Sequence, residues 1–148
     1  MVKRLLICSI LCLLLTACVS TPNKEIAEGR MLGNAVVLNS ENNEVTKPLK
    51  PGEKFAIVFF VCGDLTEISA QFILRHEGKP VFEGVVNSQY ANIEEVDEGI
   101  YKVTIPFGVP YDGVPAGKYS VLVIVVDMNT GEVERTTVDF EIKITTEI

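Results

Sequence analysis

The sequence predicts an all-β domain in which two antiparallel sheets pack face to face. Short apolar runs rich in Val, Ile, Phe and Thr alternate with clusters of Gly, Pro and Asn, a pattern typical of β-sandwiches. No long segment after the leader repeats its apolar residues at helical spacing. The runs amount to about seven strands, and we expect the domain to cover residues 33–148.

The first half of the predicted domain begins with a short strand at residues 34–39. The turn KPLKPGE leads from it to Phe55–Cys62, a strand that is apolar on both faces, as is typical of the middle of a sheet. Ile68–His76 and Val81–Val86 lie on either side of EGKP and are predicted to form a hairpin. Residues 87–98 are acidic, and we expect a loop there.

The second half of the domain continues this alternation of strands and turns. Residues 99–107 form a strand of alternating polarity, and the segment GVPYDGVPAG after them is expected to be an irregular loop. Tyr119–Val126 is a second strand that is apolar on both faces, and the turn DMNTGE leads from it into the last strand. In the strand at residues 99–107, the alternation of polarity places four side chains on one face: Tyr101, Val103, Ile105 and Phe107. In the last strand, the same alternation predicts that four side chains point inward: Val138, Phe140, Ile142 and Ile144.

The segments DEGIYKVTIPF and PAGKYSVLVIVVDMNTGEVERTTVDFEI resemble the closing half of bacterial immunoglobulin-like domains. In those domains a Gly-x-Tyr opens a strand, and the final hairpin ends in an aromatic-x-aliphatic run. The resemblance implies a corner tyrosine whose hydroxyl bonds back to the chain, with Tyr119 as the first choice and Tyr101 as the second. The chain lacks the Trp and the core disulfide of antibody-type domains. A lipocalin-like barrel, which needs more strands, is the second choice of fold.

The first 17 residues have the three parts of an export signal. Lys3 and Arg4 form a positive n-region, Leu5–Leu15 is an apolar run, and Thr16 and Ala17 are the small residues that precede a cleavage site. The apolar run is shorter than the roughly 20 residues that a membrane-spanning helix requires. The leader therefore predicts export without a transmembrane anchor.

The motif Leu15-Thr16-Ala17-Cys18 resembles a bacterial lipobox, in which an aliphatic residue and two small residues precede a cysteine. The resemblance implies that signal peptidase II removes the signal peptide, residues 1–17, and that Cys18 carries a diacylglyceryl group. The alternative is an ordinary signal peptide that is cut after Ala17. Residues 18–32 are expected to be the lipidated amino terminus and a tether to the domain.

Val19, and not Asp, follows the predicted lipid site. In lipoproteins of enteric bacteria, Asp at this position retains the protein in the inner membrane. The resemblance therefore implies the periplasmic side of the outer membrane in a cell with two membranes. In a cell with one membrane, it implies the outer face of the plasma membrane.

The charge balance excludes nucleic acid as a partner. Removal of residues 1–17 takes away two basic residues and no acidic ones, so 11 basic and 20 acidic residues remain, a formal charge of −9. Such a surface repels nucleic acid phosphates and anionic lipid headgroups. Attachment to the membrane is therefore expected through the lipid on Cys18 and not through a basic patch.

The sequence predicts a protein that is not an enzyme and has no cofactor. Cys62, His76 and Asp64 are the ingredients of a cysteine hydrolase, which needs a thiolate, a base and a group that orients the base. Cys62 and His76 are expected at opposite ends of the sheet. The favoured interpretation is therefore a core thiol and a surface imidazole.

Two polar segments are weak candidates for binding Ca²⁺ through carboxylate oxygens. One is the predicted acidic loop, for which a solvated loop is the favoured interpretation; it contains Glu94, Glu95, Asp97 and Glu98. The other is the turn DMNTGE, for which an ordinary hairpin turn is favoured; it contains Asp127, Asn129 and Glu132.

The segment GVPYDGVPAG is the candidate interaction surface at one end of the sandwich. Apolar residues in such a loop either bind partners or plug the open end of the core, and both interpretations stay open. The candidate residues are Phe107, Val109, Tyr111 and Val114. The leading hypothesis is a lipid-anchored cell-envelope protein that acts as an accessory or adaptor through contacts with an envelope protein. The alternatives are a sensor or carrier of a small ligand or Ca²⁺, and a hydrolase that uses Cys62.

Overall fold

The described part of the chain is built from β-strands. A computed structural model describes Ile26 and residues 29–144 of the 148-residue chain. The strands are β1 (Val36–Asn39), β2 (Lys54–Cys62), β3 (Ile68–His76), β4 (Lys79–Val85), β5 (Asn92–Asp97), β6 (Ile100–Gly108), β7 (Gly117–Asp127) and β8 (Val133–Ile142). The predicted signal peptide, the lipid site Cys18 and the tether up to residue 25 lie outside the described residues.

The eight strands form two four-stranded antiparallel sheets, one in the order β1-β2-β6-β5 and the other in the order β4-β3-β7-β8. The chain changes sheets between β2 and β3, between β4 and β5, and between β6 and β7. This is the strand order of a constant-type immunoglobulin domain with β4 added at the edge of the second sheet. The prediction of an all-β, immunoglobulin-like sandwich is confirmed.

The core lies between the two sheets and consists of the inward-facing residues of the central strands. The most deeply buried side chains include Ile57, Phe59, Phe72, Val103, Ile105, Val121, Val123 and Val125. In antibody domains a Trp on the third strand packs against a disulfide between the sheets. In this chain Phe72 of β3 is the large aromatic residue on that strand. Val121 of β7 lies two residues after Tyr119, where the second cysteine of that disulfide would lie.

Residues 87–98 do not form the predicted loop throughout, because β5 lies within them. Glu94 pairs with Lys102 and Glu95 pairs with Tyr101 of β6. Every residue of β5 is exposed, so the strand has no apolar face that a sequence pattern could reveal. Main-chain hydrogen bonds to β6 form this edge strand, and it raises the number of strands to eight.

The inward direction predicted for Ile144 is wrong, because 47% of this residue is exposed. The first residue of β7, Gly117, pairs with Ile142. No β7 residue therefore lies opposite Ile144 to hold it against the core. Phe140 and Ile142 are buried as predicted.

The core begins before Gly33, the predicted start of the domain. Met31 and Leu32, which the sequence places in the tether, are buried. The N–H of Cys62 donates to the carbonyl oxygen of Met31 at 2.8 Å, and Leu32 forms a bridge with Val61. The segment before β1 therefore lies along the last residues of β2.

The carboxylate of Glu134 on β8 holds this segment from the opposite sheet. It accepts hydrogen bonds from the N–H of Met31 at 2.8 Å and of Leu32 at 3.3 Å, and it pairs with Arg30 Nε at 2.7 Å. Burial alone raises the pKa of Glu134, but the hydrogen bonds from Arg30 and from the two main-chain N–H groups outweigh burial. The net result is a pKa below the usual value for glutamate.

Replacement of Gly84 by Ala is expected to destabilise the protein. A Cβ atom on Gly84 would lie 2.6 Å from Cζ of Phe72, which is almost completely buried and cannot move without disturbing the core. We expect a loss of about 1–3 kcal/mol in the free energy of unfolding, measured by urea titration. Gly108→Ala is the control: Gly108 has open space around its Cα, so the loss of unfolded-state entropy is expected to leave stability unchanged or higher. Equal effects of both variants would contradict the packing described for Phe72.

Replacement of Glu134 by Gln is expected to lower stability at pH 7 by about 1–3 kcal/mol, because three donors lose a charged acceptor. The pKa of Glu134 is lowered in the folded state, so its contribution is present above the unfolded pKa and is lost as the pH falls through the folded pKa. Below about pH 4.5, the E134Q protein should therefore lose less stability on acidification than the wild type. Denaturant titrations at pH 7 and pH 3, with Glu132→Gln as the control, measure this difference.

Candidate binding site at one end of the sandwich

Tyr119 fixes the loop at one end of the sandwich to the start of β7. Its hydroxyl donates a hydrogen bond of 2.6 Å to the carbonyl oxygen of Pro115, and its side chain is buried. Burial raises the pKa of Tyr119, which keeps the hydroxyl protonated and able to donate. The ring packs on Phe140 and His76, with centroids 5.6 and 4.6 Å away. The first choice for the corner tyrosine is therefore confirmed.

Tyr101, the second choice for the corner, lies near the start of β6 and serves a different contact. A hydrogen bond with Glu95 is the largest cause that raises the pKa of Tyr101. This contact links β5 to β6 at the end of the sandwich that carries Cys62, since Cys62 pairs with Ile100.

The four candidate interaction residues of the end loop divide into two groups. Val109 is buried and Val114 is half-buried against the core, so both plug the end of the sandwich. Phe107 lies within β6 and not in an irregular segment, and its ring stacks on Phe55 with centroids 5.4 Å apart. Tyr111 is 82% exposed, so it is the member of the set that faces solvent.

An apolar cavity of about 500 Å³ opens between the end loop, β3 and β4. Its walls include Phe72, Leu74, Val81, Phe82, Val109 and Val114. Two of its polar groups already have partners, because His76 Nε2 lies 3.0 Å from the Ala116 carbonyl and the Tyr119 hydroxyl bonds to Pro115. The cavity therefore offers apolar contact, and its volume suits a small molecule or the side chains of a peptide.

The cavity walls include two residues of β4 that no sequence pattern had indicated as site residues. Val81 and Phe82 on β4 are 55% and 43% exposed, yet both line the cavity. The two can share a wall because the pairing of β3 with β4 shifts by one residue between Leu74 and Arg75. The sequence does show Val81 and Phe82 as adjacent apolar residues. Strand alternation alone, however, predicts that two adjacent side chains point to opposite faces of the sheet.

The structure does not bring Cys62 and His76 together. Lys54 at the start of β2 pairs with Gly108 beside the end loop, so Cys62 at the end of β2 lies at the opposite end of the sandwich. His76 lies at the cavity end, paired with Tyr119. Asp64 bonds to Thr66, whose hydroxyl and main-chain N–H lower the pKa of the carboxyl. These three residues do not form a hydrolase site.

The two candidate Ca²⁺ segments are strand and turn residues. Glu94 and Glu95 are neighbours on β5, so their side chains point to opposite faces of the sheet. Asp127 accepts hydrogen bonds from the N–H groups of Asn129 and Thr130, as the favoured interpretation of a hairpin turn predicts. In the part of the chain that the structure describes, no three His, Cys, Asp or Glu residues are grouped closely enough to hold a metal ion.

Comparisons with known proteins identify structural neighbours but no family. No protein-family model and no curated protein matches the chain. A solved ceramidase complexed with C2 and the neutral ceramidase from Pseudomonas aeruginosa are each 19% identical, with TM-scores of 0.48 and 0.45; they cover 82% and 80% of this chain. The chain spans only 20% of the length of each ceramidase chain.

A smaller neighbour is the immunoglobulin domain 7 of Dscam1, isoform 5, which is 14% identical with a TM-score of 0.31. That likeness covers 76% of this chain and 100% of the Dscam1 chain. Similarities at this level carry no conclusion about activity, and the fold class stands on the strand order itself. Among the described residues, no helix has the length and apolar character required to span a bilayer.

Replacement of Tyr119 by Phe is expected to lower the free energy of unfolding by about 0.5–1.5 kcal/mol, because the Pro115 carbonyl loses its donor. Tyr111→Phe is the matched control, since the exposed Tyr111 hydroxyl makes no hydrogen bond within the described residues and its removal is expected to change little. Guanidinium titration of both variants measures the difference. Equal stability of the two variants would contradict the role assigned to Tyr119.

Proposed function

We propose that this protein is a lipid-anchored, non-catalytic component of the cell envelope that acts as an accessory or adaptor through protein contacts. The lipobox-like motif ending at Cys18 supports the anchor. The observation that carries the binding role is the apolar cavity at the end of the sandwich, whose walls include Pro110 and Gly113 on either side of the exposed Tyr111. The expected location is the periplasmic side of the outer membrane, or the outer face of the plasma membrane in a cell with one membrane.

A non-catalytic role is supported by the chemistry of the cavity wall. Its polar side chains are the imidazole of His76 and the hydroxyls of Tyr90 and Tyr119. None of these is a nucleophile paired with a base, and Cys62 lies at the far end of β2. A wall of this kind favours binding by burial of apolar surface.

The point at which the chain enters the domain also supports an adaptor. Met31, near the end of the predicted tether, bonds to Cys62, so the chain enters the domain at the end opposite the cavity. A lipid on Cys18 would thus connect the bilayer to the end of the domain that does not carry the cavity. An opening in that position is accessible to another protein of the envelope.

A second candidate function is a carrier or sensor of a small apolar ligand. The volume of the cavity, about 500 Å³, favours this alternative, since pockets for small molecules have similar volumes. A ligand that binds only the folded state raises the melting temperature. A thermal shift with apolar metabolites extracted from the envelope, in the absence of any protein partner, would favour the carrier.

The anchor is tested by replacing Cys18 with Ala. The variant is expected to lose incorporation of labelled palmitate and to move from the membrane to the soluble fraction. Cys62→Ser is the matched control, because Cys62 is the free thiol within the domain and its replacement is expected to leave both labelling and location unchanged. Labelling that persists in C18A, or is lost in C62S, would overturn the anchor.

The contact site is tested by photocrosslinking in intact cells. A photoreactive residue at Tyr111 lies at the cavity end, and one at Asn129 lies in the exposed turn at the other end. We expect a crosslinked envelope protein from position 111 and none from position 129. The absence of a product at position 111 would exclude contacts through the cavity end.

A further inference from the structure

One uncovered sheet edge of this domain lies beside the end cavity. The edge of β1 is covered, since Val45 N–H bonds to the carbonyl oxygen of Val37, and the end of β8 is covered by Leu49, which bonds to Glu141 and Lys143. Residues 133–139 of β8 receive no main-chain hydrogen bond on their outer edge within the described residues, but none of them lines the cavity. The edge of β5 carries several carboxylates, which deter pairing with another strand. No hydrogen bond within the described residues reaches the outer edge of β4 (Lys79–Val85).

The main chain of β4 directs donors into solvent. The N–H of Val86 bonds to the carbonyl oxygen of Ala70 at 2.9 Å, so these two residues form a hydrogen-bonded pair. In an antiparallel ladder, such pairs alternate with pairs whose main-chain groups point away from the partner strand. The N–H groups of Glu83 and Val85 therefore point outward.

The side chains of β4 add apolar contact to this free edge. Val81, Phe82 and Val85 are 55%, 43% and 55% exposed, and the first two line the end cavity. An extended segment that paired with β4 would form main-chain hydrogen bonds and could place an apolar side chain in the cavity. Addition of a strand to a sheet edge combines these two sources of affinity and specificity.

The charge of the residues around the β4 edge indicates which kind of segment can bind there. The edges of β1 and β8 lie together, since Ala35 N–H bonds to Thr136, and therefore β4 and β5 share the opposite side of the sandwich. On that side, β5 and its turn contribute the carboxylates of Glu94, Glu95, Asp97 and Glu98. Glu83 and Lys79 of β4 offset each other and Lys102 lies opposite Glu94, so carboxylates remain in excess. A second copy of this chain, with a formal charge of −7, and an anionic bilayer are both repelled from such a surface.

From these observations we propose that the free edge of β4 binds an extended, positively charged peptide segment of a partner protein, with one apolar side chain of that segment in the end cavity. This rests on the proposed adaptor function and names the chemistry of its partner. The segment pairs through Glu83 and Val85, and its basic residues face the carboxylates of β5. Charge complementarity of this kind increases the rate of association and excludes acidic partners.

The test is a display selection of random nine-residue peptides against the full-length protein in phosphatidylcholine nanodiscs. Selected peptides are expected to be basic, free of Pro at the centre, and rich in β-branched residues around one large apolar residue. Binding is then measured at low and high salt, because attraction between exposed charges is screened. A selection that yields no binder, or only acidic binders, overturns the proposal.

Replacement of Val85 by Pro removes an outward N–H group, and the proline ring obstructs a strand that approaches β4. We therefore expect this variant to bind the selected peptides about tenfold more weakly or worse. Thr137→Pro is the matched control on the outer edge of the same sheet. The Leu49 bonds to Glu141 and Lys143 place the odd-numbered N–H groups of β8 on its outer edge, so Thr137 also loses an outward donor. Equal affinities of the two variants overturn the assignment to β4.

Charge reversal at one exposed position keeps the test valid if V85P does not fold. Val85→Lys is expected to weaken binding and Val85→Glu to strengthen it, by about threefold each at low salt. The opposite order, or no difference, overturns the proposal.

Displacement of the peptide by palmitate in the same assay would assign the cavity to a lipid, and a concentration-dependent dimer would assign the edge to a second copy. If Tyr111 crosslinks a partner but no basic peptide binds, the adaptor function stands and this inference fails.

Discussion

The packing of Phe72 is the interaction on which the rest of this structure depends. Its ring is almost completely buried and lies against the backbone of Gly84, and it contacts Phe107, Phe82 and Tyr90 with centroids 6.0, 5.9 and 6.2 Å away. These contacts join β3 to β4, to the crossover toward β5, and to β6 in the facing sheet. Each aromatic pair of this kind contributes about 0.5–1.5 kcal/mol. One side chain therefore does part of what a disulfide and a Trp do in antibody domains.

The same packing makes the cavity a continuation of the core. Phe72 lines the cavity, the Tyr119 hydroxyl bonds to Pro115 of the end loop, and the imidazole of His76 is bonded to the main chain of the same loop. Two polar groups of the wall are thus satisfied before any ligand arrives, so affinity has to come from burial of apolar surface. Burial of apolar surface does not fix the orientation of a ligand, because it is not directional. The free main-chain donors of β4 beside the cavity can fix the orientation of a bound peptide.

The sequence predicted those features that local patterns determine. The central strands β2 and β7 are apolar on both faces, and the Tyr119 corner carries a local signature, so both were predicted correctly. Strand β5 was missed because an edge strand exposed on both faces has no apolar pattern. The position of Met31 and Leu32 depends on Glu134, about a hundred residues later, and the cavity wall depends on a shift of register after Leu74. Contacts between distant parts of the chain leave no local pattern.

The arrangement of the two ends has a mechanical consequence. The amino-terminal segment is held at Met31, at one pole of the sandwich, and the cavity lies at the other pole. If a bilayer pulls on the first and a partner on the second, tension runs parallel to the strands. Load in that direction strains many ladder hydrogen bonds at the same time instead of opening them one after another. The same strand order that closes the core would thus let the domain act as a stiff link under tension.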